Sequence, residues 1–191
     1  MTNGYLTNPL VFLLTTLFDL YILIVMLRFL FQLVRADFYN PLSQFIVKIT
    51  SPLIVPVRRL IPSVGKIDTA TLVLLLVLQL IKITLVGLIS GGMYPVGVLL
   101  VLSVAETVAL AFNVFIFSIL IIVILSWINP GTYNPVTSVL HNLTEPVLGP
   151  CRRIIPPISG MDLSPIAAIL ALQIAKMLVM PLFEPLARAF A

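Results

Sequence analysis

Residues 39–62 read YNPLSQFIVKITSPLIVPVRRLIP, and residues 133–156 read YNPVTSVLHNLTEPVLGPCRRIIP. Both segments begin with Tyr-Asn-Pro, pass through Thr-x-Pro to a pair of arginines and end on proline, at a displacement of 94 residues (133 minus 39). Chance matches leucines in an apolar chain, but it does not align prolines and paired arginines in order. The sequence therefore predicts two copies of one unit. Further residues match at this displacement: Asp68 with Asp162, Gln79 with Gln173, Lys82 with Lys176, and Asp19 with Asn113.

Long apolar segments flank both motifs. A helix needs about 20 mainly apolar residues to cross a bilayer, and four segments have this length: about residues 10–33, 72–89, 104–128 and 165–183. Each copy is then a span, a polar loop and a second span, and the copies divide the chain into 1–93 and 94–191. Two spans return the chain to its starting side, so both copies have one orientation and are parallel repeats. We expect an all-α membrane protein with four transmembrane helices.

The third apolar stretch is longer than one level span. As a helix, residues 96–128 would be about 50 Å long, at about 1.5 Å per residue. We expect its first turns to lie in the interface or to be strongly tilted. Two short re-entrant pieces are the alternative, although no proline or internal glycine pair would break the stretch.

Each polar loop begins with a helix signal. Asn40 and Asn134 are good N-cap residues, and Pro41 and Pro135 suit the first helical position. The residues that follow separate apolar from polar side chains, which is typical of a short amphipathic helix in the headgroup region. Two later prolines in each copy should end this helix, because proline lacks an N–H donor and clashes with the preceding turn. These are Pro52 and Pro56, then Pro146 and Pro150, so the pairs Arg58-Arg59 and Arg152-Arg153 are expected in extended chain.

The composition narrows the class of protein. Of 191 residues, 60% are hydrophobic and 9% are charged, against about 25% charged residues in an ordinary soluble chain. The mean hydropathy is +1.18. A soluble enzyme, a nucleic-acid-binding domain and a disordered chain are excluded as main interpretations. The first ten residues contain no Lys or Arg, and the first apolar run contains Asp19, so we expect no cleavable signal peptide.

Basic residues are concentrated in the two polar loops. Residues 34–71 contain five Lys or Arg residues and residues 129–164 contain two, whereas the N-terminal segment and the connection 90–95 contain none. The positive-inside rule therefore predicts that both loops face the cytoplasm, with both termini outside, in the cell inner membrane. Arg188 near the C-terminus weakly opposes this orientation.

Of the polar residues inside the apolar segments, seven are candidates for an intramembrane polar site: Asp19, Gln79, Lys82, Glu106, Asn113, Gln173 and Lys176. A lysine at the bilayer centre costs about 2.5–3.5 kcal/mol on insertion scales, so each should face protein or water and have a partner. By depth, Asp19 could pair with Lys82, and Glu106 with Lys176. Three interpretations stay open: a structural ion pair, a path for a cation or proton, and snorkelling to the outer interface.

The repeated loop residues are candidates for contacts with lipids or partner proteins: Asn40, Pro41, Arg58, Arg59, Asp68, Asn134, Pro135, Arg152, Arg153 and Asp162. Each arginine near an anionic membrane surface contributes about 1 kcal/mol, so anionic headgroups are the expected partners. The alternative is that the arginine pairs only set the topology. Small residues should pack the spans together or form a contact with another copy or another membrane protein. These are Gly87 with Gly91, and the ridge of Ala167, Ala171 and Ala175.

Residues for catalysis or cofactor binding are scarce. The chain has no Gly-x-Ser-x-Gly elbow, Walker loop or His-Glu-x-x-His motif, so we expect no enzyme. The single cysteine, Cys151, and the single histidine, His141, cannot form a disulfide or a protein-only metal site. We therefore expect no cofactor and no metal, with Cys151 incidental and His141 on the polar face of the loop helix.

The duplicated pattern resembles the YggT family of membrane proteins, also called YlmG. The pattern is Asn-Pro, a short amphipathic stretch, Thr-x-Pro, Pro-x-Arg-Arg-x-Ile-Pro and a downstream Asp. The resemblance covers roughly residues 10–185. The second copy, Gly160-Met161-Asp162-Leu163-Ser164-Pro165, has the form of the family, whereas the first copy, Gly65-Lys66-Ile67-Asp68-Thr69-Ala70, departs from it.

The resemblance implies a non-enzymatic, multi-pass inner-membrane protein. Bacterial members of the family are linked to osmotic-stress tolerance and cation homeostasis. Others are linked to cell division, and plastid relatives to envelope or nucleoid organisation and cytochrome assembly. Two functions therefore stay open: support of cation homeostasis, and a membrane scaffold or assembly factor that acts through its basic loops.

Overall fold

The computed structural model describes residues 3–65, 67–128, 134–155 and 162–190. Within these residues the chain forms seven α-helices and one 3-10 turn, and no strand. The helices are α1 (Asn3–Leu33), α2 (Pro41–Leu60), α3 (Thr69–Ile89), α4 (Val96–Ile128), α5 (Pro135–Ile154), α6 (Ser164–Val179) and α7 (Phe183–Ala189), with the 3-10 turn at Met180–Leu182 between the last two.

Four helical segments are long and apolar enough to cross a membrane: Asn8–Leu33 of α1, all of α3, all of α4, and Ser164–Ala189, which joins α6 to α7. They correspond to the four predicted spans, and the chain is an all-α, multi-pass membrane protein. Pro181 interrupts the last span because it lacks a backbone donor. The helix α6 therefore ends at Val179, and the chain passes through the 3-10 turn into α7.

The third span, α4, is one uninterrupted helix of 33 residues. The alternative of two re-entrant pieces is therefore wrong. The first turn of α4 is covered by the C-terminal segment, because a Cβ added to Gly97 would lie 2.7 Å from the Cβ of Phe190. A residue without a side chain lets the two backbones approach this closely. That the first turns of α4 lie in the interface or are strongly tilted stays a prediction.

The buried apolar core lies mainly in the first repeat. Val25 of α1 and Leu75 of α3 are fully buried in the larger cluster, which also draws on α2, α4 and α5. Helix α3 contacts both α1 and α4, and α6 packs on α4 and α5. A smaller cluster of Ile119, Leu148 and Ala168 joins these three helices of the second repeat.

The two loop helices are longer than predicted. Helices α2 and α5 have 20 residues each and continue through their internal prolines. The prediction that these prolines end the helices is therefore wrong, and the arginine pairs occupy the last helical turn instead of extended chain. The prolines concerned are Pro52 and Pro56 in α2 and Pro146 and Pro150 in α5.

The position of the prolines on the helix explains why the helix survives them. Pro52 and Pro56 are four residues apart and both exposed, so the carbonyls that lose a donor lie together on the outer side of α2. The opposite face is buried through Ile46, Thr50 and Ile54. This burial, together with solvation of the outer carbonyls, offsets the missing hydrogen bonds.

Both predicted N-caps are present, and one of them links the two repeats. The side chains of Asn40 and Asn134 each accept a backbone N–H in the first turn, at 2.9 and 2.8 Å. In addition, Nδ2 of Asn40 donates to the carbonyl of Pro135 at 2.7 Å. Helices α2 and α5 therefore lie side by side at one end of the bundle, which confirms that the repeats are parallel.

The glycines at the end of α3 shape a turn. Gly91 has φ +80 and lies outside the helix, and the N–H of Gly92 donates to the carbonyl of Gly87 at 2.9 Å. This is the glycine-based ending common to helices, so the interpretation of Gly87 and Gly91 as a packing motif between spans is wrong. In the predicted alanine ridge, Ala171 is exposed, whereas its neighbour Ala168 is fully buried.

Some residues of the predicted motifs lie outside the described residues: Lys66, Tyr133, Pro156, Gly160 and Met161. Gly65, in the loop of the first copy, is described and has φ +61, a conformation that glycine adopts without strain. The division of the chain between residues 93 and 94 stays a prediction.

Asn40→Ala should destabilise the protein more than Asn134→Ala. Each substitution removes an N-cap, which costs about 1 kcal/mol. The first substitution also removes the hydrogen bond that Nδ2 of Asn40 donates to the Pro135 carbonyl of the neighbouring helix. We expect this to cost about 1 kcal/mol more, visible as a lower thermal midpoint in detergent. Equal losses for the two variants would contradict a bridging role for Asn40.

Candidate intramembrane polar site

A polar cavity of about 460 Å³ lies between α1, α3 and α4, within the membrane-spanning part of the bundle. Five of the seven predicted intramembrane polar residues line it, whereas Gln173 and Lys176 of α6 do not. The polar lining consists of Thr16 and Asp19 of α1, Gln79 and Lys82 of α3, and Glu106 and Asn113 of α4.

Helical spacing explains why these side chains meet. Glu106 and Asn113 are seven residues, or about two turns, apart and therefore share one face of α4. Between them Ala109 also lines the cavity, and its small side chain leaves the space open. Gln79 and Lys82 are three residues apart on α3, which places them on one face in the same way.

Lys82 and Asp19 form an ion pair with 2.8 Å between Nζ and Oδ1, which confirms the predicted pairing. The side chain of Lys82 is 11% exposed, whereas that of Asp19 is 59% exposed. Asp19 lies near the middle of its span, where a carboxylate is stable only against water or other polar groups. The cavity in front of it must therefore admit water.

Lys176 makes the corresponding contact in the second repeat. Its Nζ donates to Oδ1 of Asn113 at 2.8 Å, and both lysine contacts span 63 residues of sequence. The predicted pairing of Lys176 with Glu106 is therefore wrong. Depth in the membrane did not distinguish Glu106 from Asn113, but the match of Asp19 with Asn113 at the repeat displacement would have identified the partner.

Two groups in the cavity have no protein partner among the described residues. Oε1 of Gln79 is buried and accepts no hydrogen bond there, and Glu106 is exposed and forms no ion pair in that part of the chain. The lining therefore holds two carboxylates, Asp19 and Glu106, against one ammonium, Lys82. A free amide oxygen beside excess carboxylate is suited to bind a proton or a monovalent cation.

The predicted loop residues contribute to a second set of contacts, which fasten each loop helix to the following span. In the first repeat Arg58 is paired with Asp68, whose side chain is fully buried and also accepts the hydroxyl of Thr71 at 2.6 Å. In the second repeat Nε of Arg152 donates to Asp162 at 3.0 Å. One arginine of each pair is therefore bound within the protein.

The other arginine of each pair is available. Arg59 and Arg153 are exposed and have no acidic partner in the described parts of the chain. The predicted set of loop residues thus divides into two kinds. Asn40, Asn134, Arg58, Arg152, Asp68 and Asp162 hold the loops in place, and Arg59 and Arg153 extend outward.

The pKa of the loop carboxyl of Asp162 is lowered by its contacts with Ser164 and Arg152. Burial alone would raise its pKa, but hydrogen bonds from Ser164 and Arg152 outweigh burial and hold the pKa below its usual 3.8. A carboxyl with a lowered pKa stabilises the folded state above its unfolded pKa, and the stabilisation disappears as the pH falls through the folded value.

Asp162→Asn should therefore lower the thermal midpoint at neutral pH and have no effect at a pH well below 3.8. The side chain is 37% exposed, so solvent screening should keep the loss below about 1 kcal/mol. Midpoints of both proteins across this pH range in detergent would measure it. A difference that persists in strong acid would show that the contact with Arg152 is not its source.

Arg28 is a buried polar residue that the sequence did not single out. It is 8% exposed, and its Nη1 donates to the carbonyl of Val47 and to the hydroxyls of Thr50 and Ser51. It thereby joins the C-terminal part of α1 to the middle of α2. The residue at the corresponding position of the second repeat (28 plus 94) is Ile122, so the comparison of repeats gave no signal.

No group of three His, Cys, Asp or Glu that could hold a metal is present in the described ranges. His141 is exposed on α5, as predicted, and Cys151 is a partly buried free thiol.

Comparison with known proteins identifies the family. A family profile described as CCB3/YggT matches residues 7–89 and again residues 101–183. The chain belongs to the CCB3/YggT family. The two matches are displaced by 94 residues (101 minus 7), the same displacement that relates the loop motifs, so the internal repeat is confirmed.

Relatives match across nearly the whole length of this YggT-family chain. The protein PA0392 of Pseudomonas aeruginosa is 49% identical, over 91% of this chain and 89% of its own length. A Vibrio alginolyticus protein encoded in the proC 3' region is 45% identical, over 94% and 97%. The YggT protein of Escherichia coli strain K12 is 36% identical, over 89% and 88%. No solved structure matches the chain.

Hydration of the cavity in this YggT-family protein can be tested by thiol labelling. In a Cys151→Ser background, Ala109→Cys should react with a membrane-impermeant, water-soluble thiol reagent, because residue 109 lines the cavity. Leu170→Cys is the matched control, since Leu170 is 58% exposed on an apolar span and should meet lipid. Equal protection of both cysteines would contradict a water-filled cavity.

Proposed function

We propose that the protein is a non-enzymatic inner-membrane protein that supports cation homeostasis, and thereby tolerance of osmotic stress. It does so by binding a proton or a monovalent cation in the intramembrane cavity and passing it across the bilayer. The observation that carries this proposal is the meeting of Asp19, Glu106 and the unpartnered Oε1 of Gln79 in one cavity at mid-membrane depth.

The charge of the cavity favours a cationic ligand. Lys82 neutralises Asp19 through their contact, which leaves Glu106 without a partner inside the lining. Lys176 is bound to Asn113, a neutral side chain, and is not part of the lining, so it forms no ion pair with Glu106 among the described residues. A carboxylate that is unpaired within a low-dielectric region binds a proton or cation to avoid the cost of a buried charge.

The second repeat shows which substitution the fold tolerates. Asp19→Asn converts the Lys82–Asp19 contact into a lysine–asparagine contact like that of Lys176 with Asn113. We therefore expect this variant to fold. Lys82→Met, in contrast, would leave Asp19 without its partner in the membrane and should disrupt folding.

Flux assays on the purified protein in liposomes test the proposal. Asp19→Asn and Glu106→Gln should each reduce flux of potassium, sodium or protons by at least about tenfold, the effect of about 1.4 kcal/mol. Glu184→Gln is the control, because Glu184 pairs with Arg188 on the exposed α7, away from the cavity. Wild-type protein that carries none of these ions across the bilayer would overturn the conduction of a cation.

A membrane scaffold is the second candidate function, and the exposed loop arginines favour it. Arg59 and Arg153 extend from two loop helices that lie side by side, so both present charge on the same end of the bundle. We propose that this end faces the cytoplasm. If wild-type protein shows no flux but captures a partner only while Arg59 and Arg153 are present, the scaffold is the better account.

A further inference from the structure

A second cavity, of about 260 Å³, lies where α1 ends and α2 begins. It is separate from the intramembrane cavity, since Arg28 is nine residues, or about 14 Å of helix, beyond Asp19 on α1. Arg28 is five residues from the end of α1 at Leu33, which places the cavity about 8 Å or less below that end. Three arginines line it: Arg28, Arg35 and Arg58.

Arg28 is a buried, charged residue whose guanidinium has N–H donors that no described residue of the protein accepts. Of its nitrogen atoms, Nη1 makes the three hydrogen bonds to α2, all of them to neutral acceptors. Its Nε and Nη2 have no partner among the described residues. A guanidinium buried this deeply is costly unless an anion compensates it, and the nearby charge of Arg58 adds to the cost.

Ser43 provides a second unsatisfied group in the same place. Its side chain is 3% exposed and lines the cavity, and its Oγ has no hydrogen-bond partner in the described part of the chain. A buried hydroxyl without a partner costs free energy comparable to a lost hydrogen bond. An acceptor atom in the cavity would satisfy it.

The balance of charge at the cavity is positive. Three arginines line the cavity. The neighbouring carboxylates are that of Asp68, which is bound to Nη2 of Arg58, and that of Asp37, which adjoins the lining residues Ala36 and Phe38. A net positive charge remains when both carboxylates are counted. The cavity is also smaller than the range of about 300–1,000 Å³ that holds drug-sized ligands, which suits a single compact group.

We infer that this cavity binds a negatively charged phosphate group. Arginine is the side chain best suited to phosphate, because its planar fork donates two hydrogen bonds at once. Nε and Nη2 of Arg28 form one such fork, Arg35 and Arg58 supply further charge, and the Ser43 hydroxyl donates to a remaining phosphate oxygen. The phosphate belongs either to an anionic phospholipid headgroup or to free phosphate, and the experiment distinguishes these sources.

The second repeat has different residues at the positions that correspond to Arg28 and Ser43. Ile122 stands at the position of Arg28 (28 plus 94) and Thr137 at that of Ser43 (43 plus 94). The hydroxyl of Thr137 is engaged in the capping box with Asn134. The buried arginine and the unpartnered hydroxyl that line the cavity therefore occur together in the first repeat and have no counterparts at the matching positions of the second.

Two variants remove parts of the site without removing structural contacts. Ser43→Ala deletes a hydroxyl that has no partner in the described chain, so the unliganded protein should be as stable as the wild type or more so. Arg35→Gly replaces a residue at φ +55, a conformation that suits glycine. Arg153→Gln removes an equal charge from an exposed position outside the cavity and is the control.

The experiment measures the thermal midpoint of the full chain under two conditions. In detergent, inorganic phosphate is titrated against chloride at equal ionic strength. In nanodiscs, phosphatidylcholine alone is compared with phosphatidylcholine containing phosphatidic acid. The wild type and Arg153→Gln should be stabilised by phosphate groups. For Ser43→Ala and Arg35→Gly, the ligand concentration that gives half of the stabilisation should be at least about fivefold higher, which is the lower end of typical coupling effects.

The outcomes separate the sources of the ligand. Stabilisation by inorganic phosphate assigns the site to free phosphate, and stabilisation only by phosphatidic acid assigns it to a lipid headgroup. No stabilisation in either condition would overturn the inference. So would equal stabilisation of all four proteins, because general attraction of anions to the basic surface would then explain it. None of these results depends on cation flux through the other cavity.

Discussion

The contact between Lys82 and Asp19 in the middle of the membrane is the constraint on which the rest of the bundle depends. A lysine in the membrane-spanning part of a bundle needs a polar partner, so this contact constrains the depth of α3 relative to α1. Fourteen residues earlier, or about 21 Å along the helix, Asp68 caps the start of α3 and binds Arg58 of α2. The contacts of Lys82 with Asp19 and of Asp68 with Arg58 together constrain the depth and the rotation of α3. In this orientation of α3, Gln79 lines the cavity.

The second repeat has contacts at the same positions, but one of the residues that form them is neutral instead of acidic. Lys176 and Asp162 are again fourteen residues apart and bind α4 and α5. Asn113 stands at the position that corresponds to Asp19, so the second lysine binds a neutral oxygen. Glu106 of the same helix lines the cavity without forming an ion pair in the described residues. The first repeat in turn holds Arg28 where the second holds Ile122. The contacts that position the spans are therefore present in both repeats, whereas Asp19, Arg28 and Ser43, which line the two cavities, have different residues at the matching positions.

Those features of the fold that follow from local chemistry could be predicted from the sequence. Apolar length determined the four spans, and Asn-Pro dipeptides determined the starts of α2 and α5. The internal prolines do not end α2 and α5, because burial of the opposite helix face offsets the hydrogen bonds that proline removes. This burial is a tertiary effect that the local sequence does not show. Glu106 was paired with Lys176 because depth carries no information on rotation, which the tertiary packing decides. Arg28 was overlooked because one charge near the end of an apolar run looks like an ordinary interfacial residue.

The hydrogen bond from Asn40 to the Pro135 carbonyl crosses the seam between the loop helices α2 and α5 of the two halves. It has no mirror image, since Asn134 is exposed and caps its own helix. Halves that insert with one orientation could also assemble as two separate half-length chains about an axis along the membrane normal. In such a pair, both sides of the seam would be identical in sequence. In a single fused chain the two sides can differ in sequence. Asn40 of the first half can therefore bridge the two loop helices while Asn134 of the second half caps only its own helix.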